Sequence, residues 1–119
     1  MEIKIIKEKI SEEEFKKIAQ EGFGDIIKGV VDIKKEIIAV GGELHSDEQE
    51  LLIDKEGSKS ENLWGINIYP AKLREQWLEF NSLINIKPLF GNSSMEIESS
   101  EIKEKIKEII NKLVQQDPN

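Results

Sequence analysis

The sequence contains no cysteine. That single absence excludes disulfides, thiolate nucleophiles, zinc fingers and iron–sulfur clusters, and it fits a reducing compartment. Long apolar runs are missing too: no uncharged stretch approaches the ~20 residues a membrane span needs, and the N-terminal residues lack a signal peptide's apolar region. A soluble, cytoplasmic protein without membrane contact is the expectation. No Gly-x-x-x-x-Gly-Lys, Gly-x-Gly-x-x-Gly or Gly-x-Ser-x-Gly pattern occurs, so phosphate loops, dinucleotide fingerprints and nucleophile elbows lose their usual signatures. Histidine is reduced to one residue, His45. Nothing in the spacing favours a Ser-His-Asp triad, and one imidazole with carboxylates falls short of the usual zinc sets. Basic charge is in deficit, 17 Lys and Arg against 24 Asp and Glu, for a net charge of −7. An acidic surface argues against general nucleic-acid binding, which rests on neutralising phosphates.

What remains is a chain of 119 residues, suited to one α+β domain over residues 1–119. Residues 2–6 read as a short strand. Ser11 and Glu14 form a capping box for a helix over 12–21, with Phe15, Ile18 and Ala19 on one face and Gly22 at its end. Two β-rich runs, 26–32 and 37–40, flank a tight polar break and predict a hairpin. Both are apolar at consecutive positions, as in strands central to a sheet. A second capping box, Ser46 with Gln49 or Asp47 with Glu50, opens a helix that packs through Leu51, Leu52 and Lys55 and stops at Gly57. Residues 63–70 alternate as a strand, with Trp64, Ile66 and Ile68 on one side and Asn67 and Tyr69 on the other. Period two also predicts a strand over 77–87, ended by Pro88. Ser99 and Ser100 cap a last helix with an apolar stripe of Ile102, Ile106, Ile109, Ile110 and Leu113. Residues 115–119 are expected to fray. The order β-α-β-β-α-β-β-α predicts an α+β two-layer sandwich: a mostly antiparallel five-stranded sheet with three helices on one face.

The chain's chemistry concentrates in Ile37-Ile38-Ala39-Val40-Gly41-Gly42-Glu43-Leu44-His45-Ser46-Asp47, an apolar run leading through a glycine pair to the only histidine. Read as one extended strand, it places Glu43 and His45 on the same face, ~6.6 Å apart at the backbone. That spacing lets a carboxylate orient an imidazole for proton transfer, or both share a divalent metal with Asp47. No cofactor is otherwise expected. Alternation along the other strands collects Asn67, Tyr69, Glu79, Asn81, Asn85 and Lys87 on the same polar side, where they are ligand-binding candidates. The bland alternative is the solvated face that antiparallel sheets commonly carry.

Three segments, Gly41-Gly42-Glu43-Leu44-His45, Gly57 to Pro70 (Gly-Ser-Lys-Ser-Glu-Asn-Leu-Trp-Gly-Ile-Asn-Ile-Tyr-Pro) and Glu79 to Pro88 (Glu-Phe-Asn-Ser-Leu-Ile-Asn-Ile-Lys-Pro), resemble those of a small prokaryotic protein family of unknown function. The resemblance spans most of the chain. It implies a single-domain protein and carries no activity or substrate.

Three functional expectations follow. The first is a small binding domain that takes a small polar ligand or a protein partner at the polar face around Glu43 and His45. The second is a hydrolase-like enzyme with Glu43 and His45 as acid/base groups or metal ligands. The third is a self-associating module, a homodimer joined through strand edges or the stripe of the last helix.

Overall fold

In the computed structural model, residues 2–22 and 24–116 are described. Five strands form one antiparallel sheet in the order β1-β4-β3-β5-β6: β1 (Lys4–Ile6), β3 (Ile27–Asp32), β4 (Ile37–Val40), β5 (Leu63–Ile68) and β6 (Leu78–Glu79). A two-residue parallel pair joins β2 (Ile10–Ser11) to β7 (Val114–Gln115). Three helices complete the fold: α1 (Glu12–Glu21), α2 (His45–Glu56) and α3 (Ser100–Leu113). The protein is an α+β fold around a five-stranded antiparallel sheet, as its pattern of periodicities implied.

Local chemistry fixes the ends. Ser11 Oγ accepts the Glu14 amide at the start of α1, and Ser99 Oγ accepts the Ile102 amide at the start of α3. The β3–β4 turn is held by Asp32, whose Oδ1 accepts the amides of Lys34 and Lys35, both at 2.9 Å. Gly57 ends α2 in the left-handed region at φ 67°, donating to the carbonyls of Leu52 and Ile53.

The sheet has two unequal faces. On the first, Ile27, Val31, Ile38, Val40, Trp64, Ile66 and Ile68 meet Phe15 and Ile18 of α1 and Ile106, Ile109, Ile110 and Leu113 of α3. Phe15 stacks on Trp77 with ring centroids 5.7 Å apart. On the second, Val30, Ile37, Ala39 and Leu63 meet only Leu52 of α2, with Ile3, Ile5 and Ile84 at the margin.

Placing all three helices on one face is therefore corrected: α1 and α3 cover the first and α2 the second. The reason lies in β3, β4 and β5, which are apolar on both sides and leave the second face in need of cover. The strand over 77–87 is shortened to β6. After an isolated bridge between Asn81 and Glu96, the chain turns into 3₁₀ segments at Leu83–Asn85 and Pro88–Phe90. Here serine and asparagine side chains outcompete strand pairing for the backbone. Ser82 Oγ accepts the Ile84 amide, and Ser82 lies against Gly65, where a Cβ would come within 2.5 Å of it.

The strand running on to His45 is corrected too. β4 stops at Val40, Gly41 turns at φ 93°, and His45 is the first residue of α2. Neither expected capping box forms; the N-cap is Leu44, without a side-chain bond. Lys55 is exposed rather than packed. Beyond α3, Gln115 pairs with Ser11 of β2 rather than fraying, and residues 117–119 of the expected frayed tail lie outside the described residues.

Candidate functional site

The second face becomes polar at one end. Strand register puts Lys28 opposite Asn67, and Asn67 opposite Glu79. Successive strands lie ~4.8 Å apart, so a cation, a carboxamide and a carboxylate form a row crossing β3, β5 and β6. Asn67 Nδ2 donates to Glu79 Oε1 at 2.8 Å and to the Asn81 carbonyl at 3.2 Å. The Tyr69 hydroxyl donates to the same Glu79 oxygen at 3.3 Å. Burial, then the Glu79 carboxylate, raises the pKa of that phenol.

The N-terminus of α2 overhangs this row. Lys28 Nζ donates to the Glu43 carbonyl at 2.9 Å, tying β3 to the loop before the helix. His45 Nε2 lies 2.8 Å from the Ile66 carbonyl. A carbonyl only accepts, so Nε2 carries the proton. Burial depresses the imidazole's pKa below 6.5, outweighing the opposing bond to Ile66, and the Lys28 ammonium lowers it further. The ring is therefore neutral at pH 7, and Nδ1 keeps its lone pair. Asn67 adjoins the ring.

Beneath lies Glu48, fully buried one turn into α2. Its Oε2 accepts the Gly42 amide at 2.9 Å, and its Oε1 has no hydrogen-bond partner among the described residues. Burial pushes its pKa up to about 9, so the carboxyl keeps its proton at neutral pH. A Cβ on Gly42 would come within 2.9 Å of the Glu48 side chain, so the glycine permits this close packing.

The candidates separate accordingly. His45, Asn67, Tyr69 and Glu79 come together at the sheet end. Glu43 joins through its carbonyl, and the bonded partner of the His45 ring is Ile66, not the Glu43 carboxylate. Asp47 lies exposed in the first turn of α2. No group of three or more His, Asp or Glu side chains among the described residues is placed to hold a metal. Asn85 and Lys87 are buried away from the row, with their side chains bonded to backbone groups. Asn85 pairs with both backbone groups of Gly65, accepting the amide at 2.8 Å and donating to the carbonyl at 3.0 Å. Lys87 Nζ donates to the Ile84 carbonyl at 3.0 Å and lies 5.2 Å from the Trp64 ring centroid. Burial lowers its pKa.

Two residues of the site escaped the sequence reading. Lys28 interrupts the apolar run of β3, and that interruption was its signal. Glu48 sits four residues before Leu52, on the helix face that turns inward. A cavity of about 450 Å³ lies elsewhere, between α3 and the chain around Arg74, Trp77 and Phe80. Its cations are already engaged: Arg74 with Glu12 and the Val114 carbonyl, Lys107 with Glu104.

A family model described as "Protein of unknown function (DUF5674)" matches residues 4–113. The chain belongs to this family. No curated protein and no solved structure matches it. The match covers the whole sheet, all three helices and every residue of the polar row.

Proposed function

We propose that the protein is a binding module whose sheet end, at Lys28, His45, Asn67, Tyr69 and Glu79, takes a small polar ligand carrying both charges. The observation that carries this reading is the cross-strand row of Lys28, Asn67 and Glu79 with a neutral imidazole beside it. Lys28 offers a cation to an acidic group. Glu79 offers a carboxylate to an ammonium about two strand spacings away, ~10 Å. Asn67 and His45 Nδ1 supply directional hydrogen bonds between them. The row is tied down before any ligand arrives, through Lys28 to Glu43 and Asn67 to Glu79, which reduces the ordering cost of binding.

The experiment is a thermal-shift screen of zwitterionic metabolites on wild type, Lys28→Met and Glu79→Gln. A ligand at saturating concentration should raise Tm by several degrees in wild type and by much less in either variant. A screen with no stabilising compound, or a shift equal in all three proteins, overturns the reading.

A further inference from the structure

Residues 82–95 form a closed loop. Its ends meet where the Ser82 amide donates to the Met95 carbonyl at 3.1 Å, and its waist is the Lys87–Asn92 bridge, bonded at 2.7 and 3.1 Å. Two buried asparagines hold it from inside. Asn85 binds Gly65 on β5 and donates to the Met95 carbonyl. Asn92 Nδ2 donates to the carbonyls of Asn85, Ser94 and Glu96, and its Oδ1 accepts the Glu98 amide. A compact loop with joined ends and an internal polar scaffold is rigid, and loops of this kind are frequently functional.

Its outward side chains are the reverse of its interior. Leu83, Ile86, Leu89, Phe90 and Met95 are all exposed, Leu89 at 94%. They are most of the exposed large hydrophobic residues in the described chain. The loop also has one charged residue, Lys87, which is buried, in a chain that is 34% charged. Ser82, Asn85, Lys87 and Asn92 thus turn inward and the large apolar side chains outward, the opposite of a solvated loop.

We propose that loop 82–95 is a self-association surface, where two copies of this chain pack Leu83, Ile86, Leu89 and Phe90 against the same residues of the other. Two observations favour a second copy as occupant. An isologous contact brings each patch against itself, so a charged patch repels its own image. On a chain of net charge −7, a stretch without exposed charge avoids that repulsion. Homodimer interfaces are also more apolar than those between transient partners, whose composition resembles ordinary surface. Together with Met95 at the loop's end, these residues expose roughly 600 Å², against the ~800 Å² each partner contributes to a standard interface.

Sedimentation equilibrium across a concentration series tests this, on wild type, Leu89→Glu, the double variant Leu89→Glu/Phe90→Glu, and Leu73→Glu as an exposed apolar control outside the loop. Leu89 contributes almost nothing to the monomer's core, so Leu89→Glu should leave the circular dichroism spectrum unchanged. Wild type and the control should dimerise. The two loop variants should weaken association about 100-fold or more, the range of central interface residues. A wild type that stays monomeric up to about 1 mM, where Kd corresponds to only ~4 kcal/mol, overturns the proposal and leaves the surface to a different protein. A dimer that survives both loop variants overturns it as well.

Discussion

The two faces of the sheet solve different problems with the same strands. The first is sealed by two amphipathic helices and by Trp77, and its cluster runs from Ile6 to Val114. The second has one helix, a small cluster around Leu52, and then a polar end where Lys28, Asn67, Glu79 and His45 stand together. Apolar contact stabilises the first face in proportion to buried area. The second buries a carboxyl and a carboxamide and half-buries an imidazole, each held by backbone groups of the sheet or its loops. The difference teaches that the main apolar packing and the polar cluster are divided by side of the sheet, and that period-two alternation along each strand makes the division possible.

The largest break in this comparison comes from the first face. Phe15→Ala should cost about 4 kcal/mol in urea unfolding, through lost burial and the cavity left against Trp77. Leu52→Ala, in the smaller cluster, should cost about 3 kcal/mol. A larger loss at Leu52 than at Phe15 would reverse the assignment of the main core.

Glu48→Gln probes the second face through the pH dependence of stability. Between pH 4.5 and about 9 the folded chain holds a proton on Glu48 that the unfolded chain has released. The folded state therefore binds more protons in that window, and wild-type stability falls as pH rises through it. Glutamine keeps an oxygen for the Gly42 amide and does not titrate. Relative to wild type, the variant should gain about 3 kcal/mol between pH 4.5 and pH 7, on top of a pH-independent cost for the amide N–H groups it buries. Denaturant titrations at several pH values check this; parallel profiles for the two proteins would show that Glu48 is ionised in the fold.

The smallest effect belongs to His45. His45→Ala loses the bond to the Ile66 carbonyl and should cost about 1 kcal/mol at pH 7. The folded pKa lies below 6.5, so the unfolded chain takes up this proton first as pH falls. The imidazole's contribution is thus present above pH 6.5 and declines as pH drops below that value. Histidine NMR titration reads the same quantity directly, and a folded pKa above 6.5 would contradict the buried, neutral ring.

Much of the scaffold was legible. Ser11 and Ser99 mark their helices because a hydroxyl three residues before a free amide has a definite bond to make. The faces of β5 followed from Trp64, Ile66 and Ile68 alone, and the stripe of α3 is buried as its spacing required. That burial leaves the stripe of α3 packed within the chain rather than free to meet a second copy. The site was legible only in part. Alternation placed His45, Asn67, Tyr69 and Glu79 on one side of the sheet and the structure brings them together, but His45 reaches the row from a helix rather than along a strand. Asn85 and Lys87 have the composition of site residues, yet their bonds go to the backbone of their own surroundings.

The sequence by itself determined the α+β class, the hairpin of β3 and β4, the serine caps of α1 and α3 and the acidic, cysteine-free character of the chain. All of these depend on short-range periodicity, turn chemistry or counting. Only the tertiary structure decided which face each helix covers, that Glu48 is buried and protonated, and that loop 82–95 turns its asparagines inward and its leucines outward. Those outcomes depend on the turn at Gly41 and on the segments that Gly42 and Gly65 let approach. Such contacts join residues far apart along the chain, and no local pattern records them.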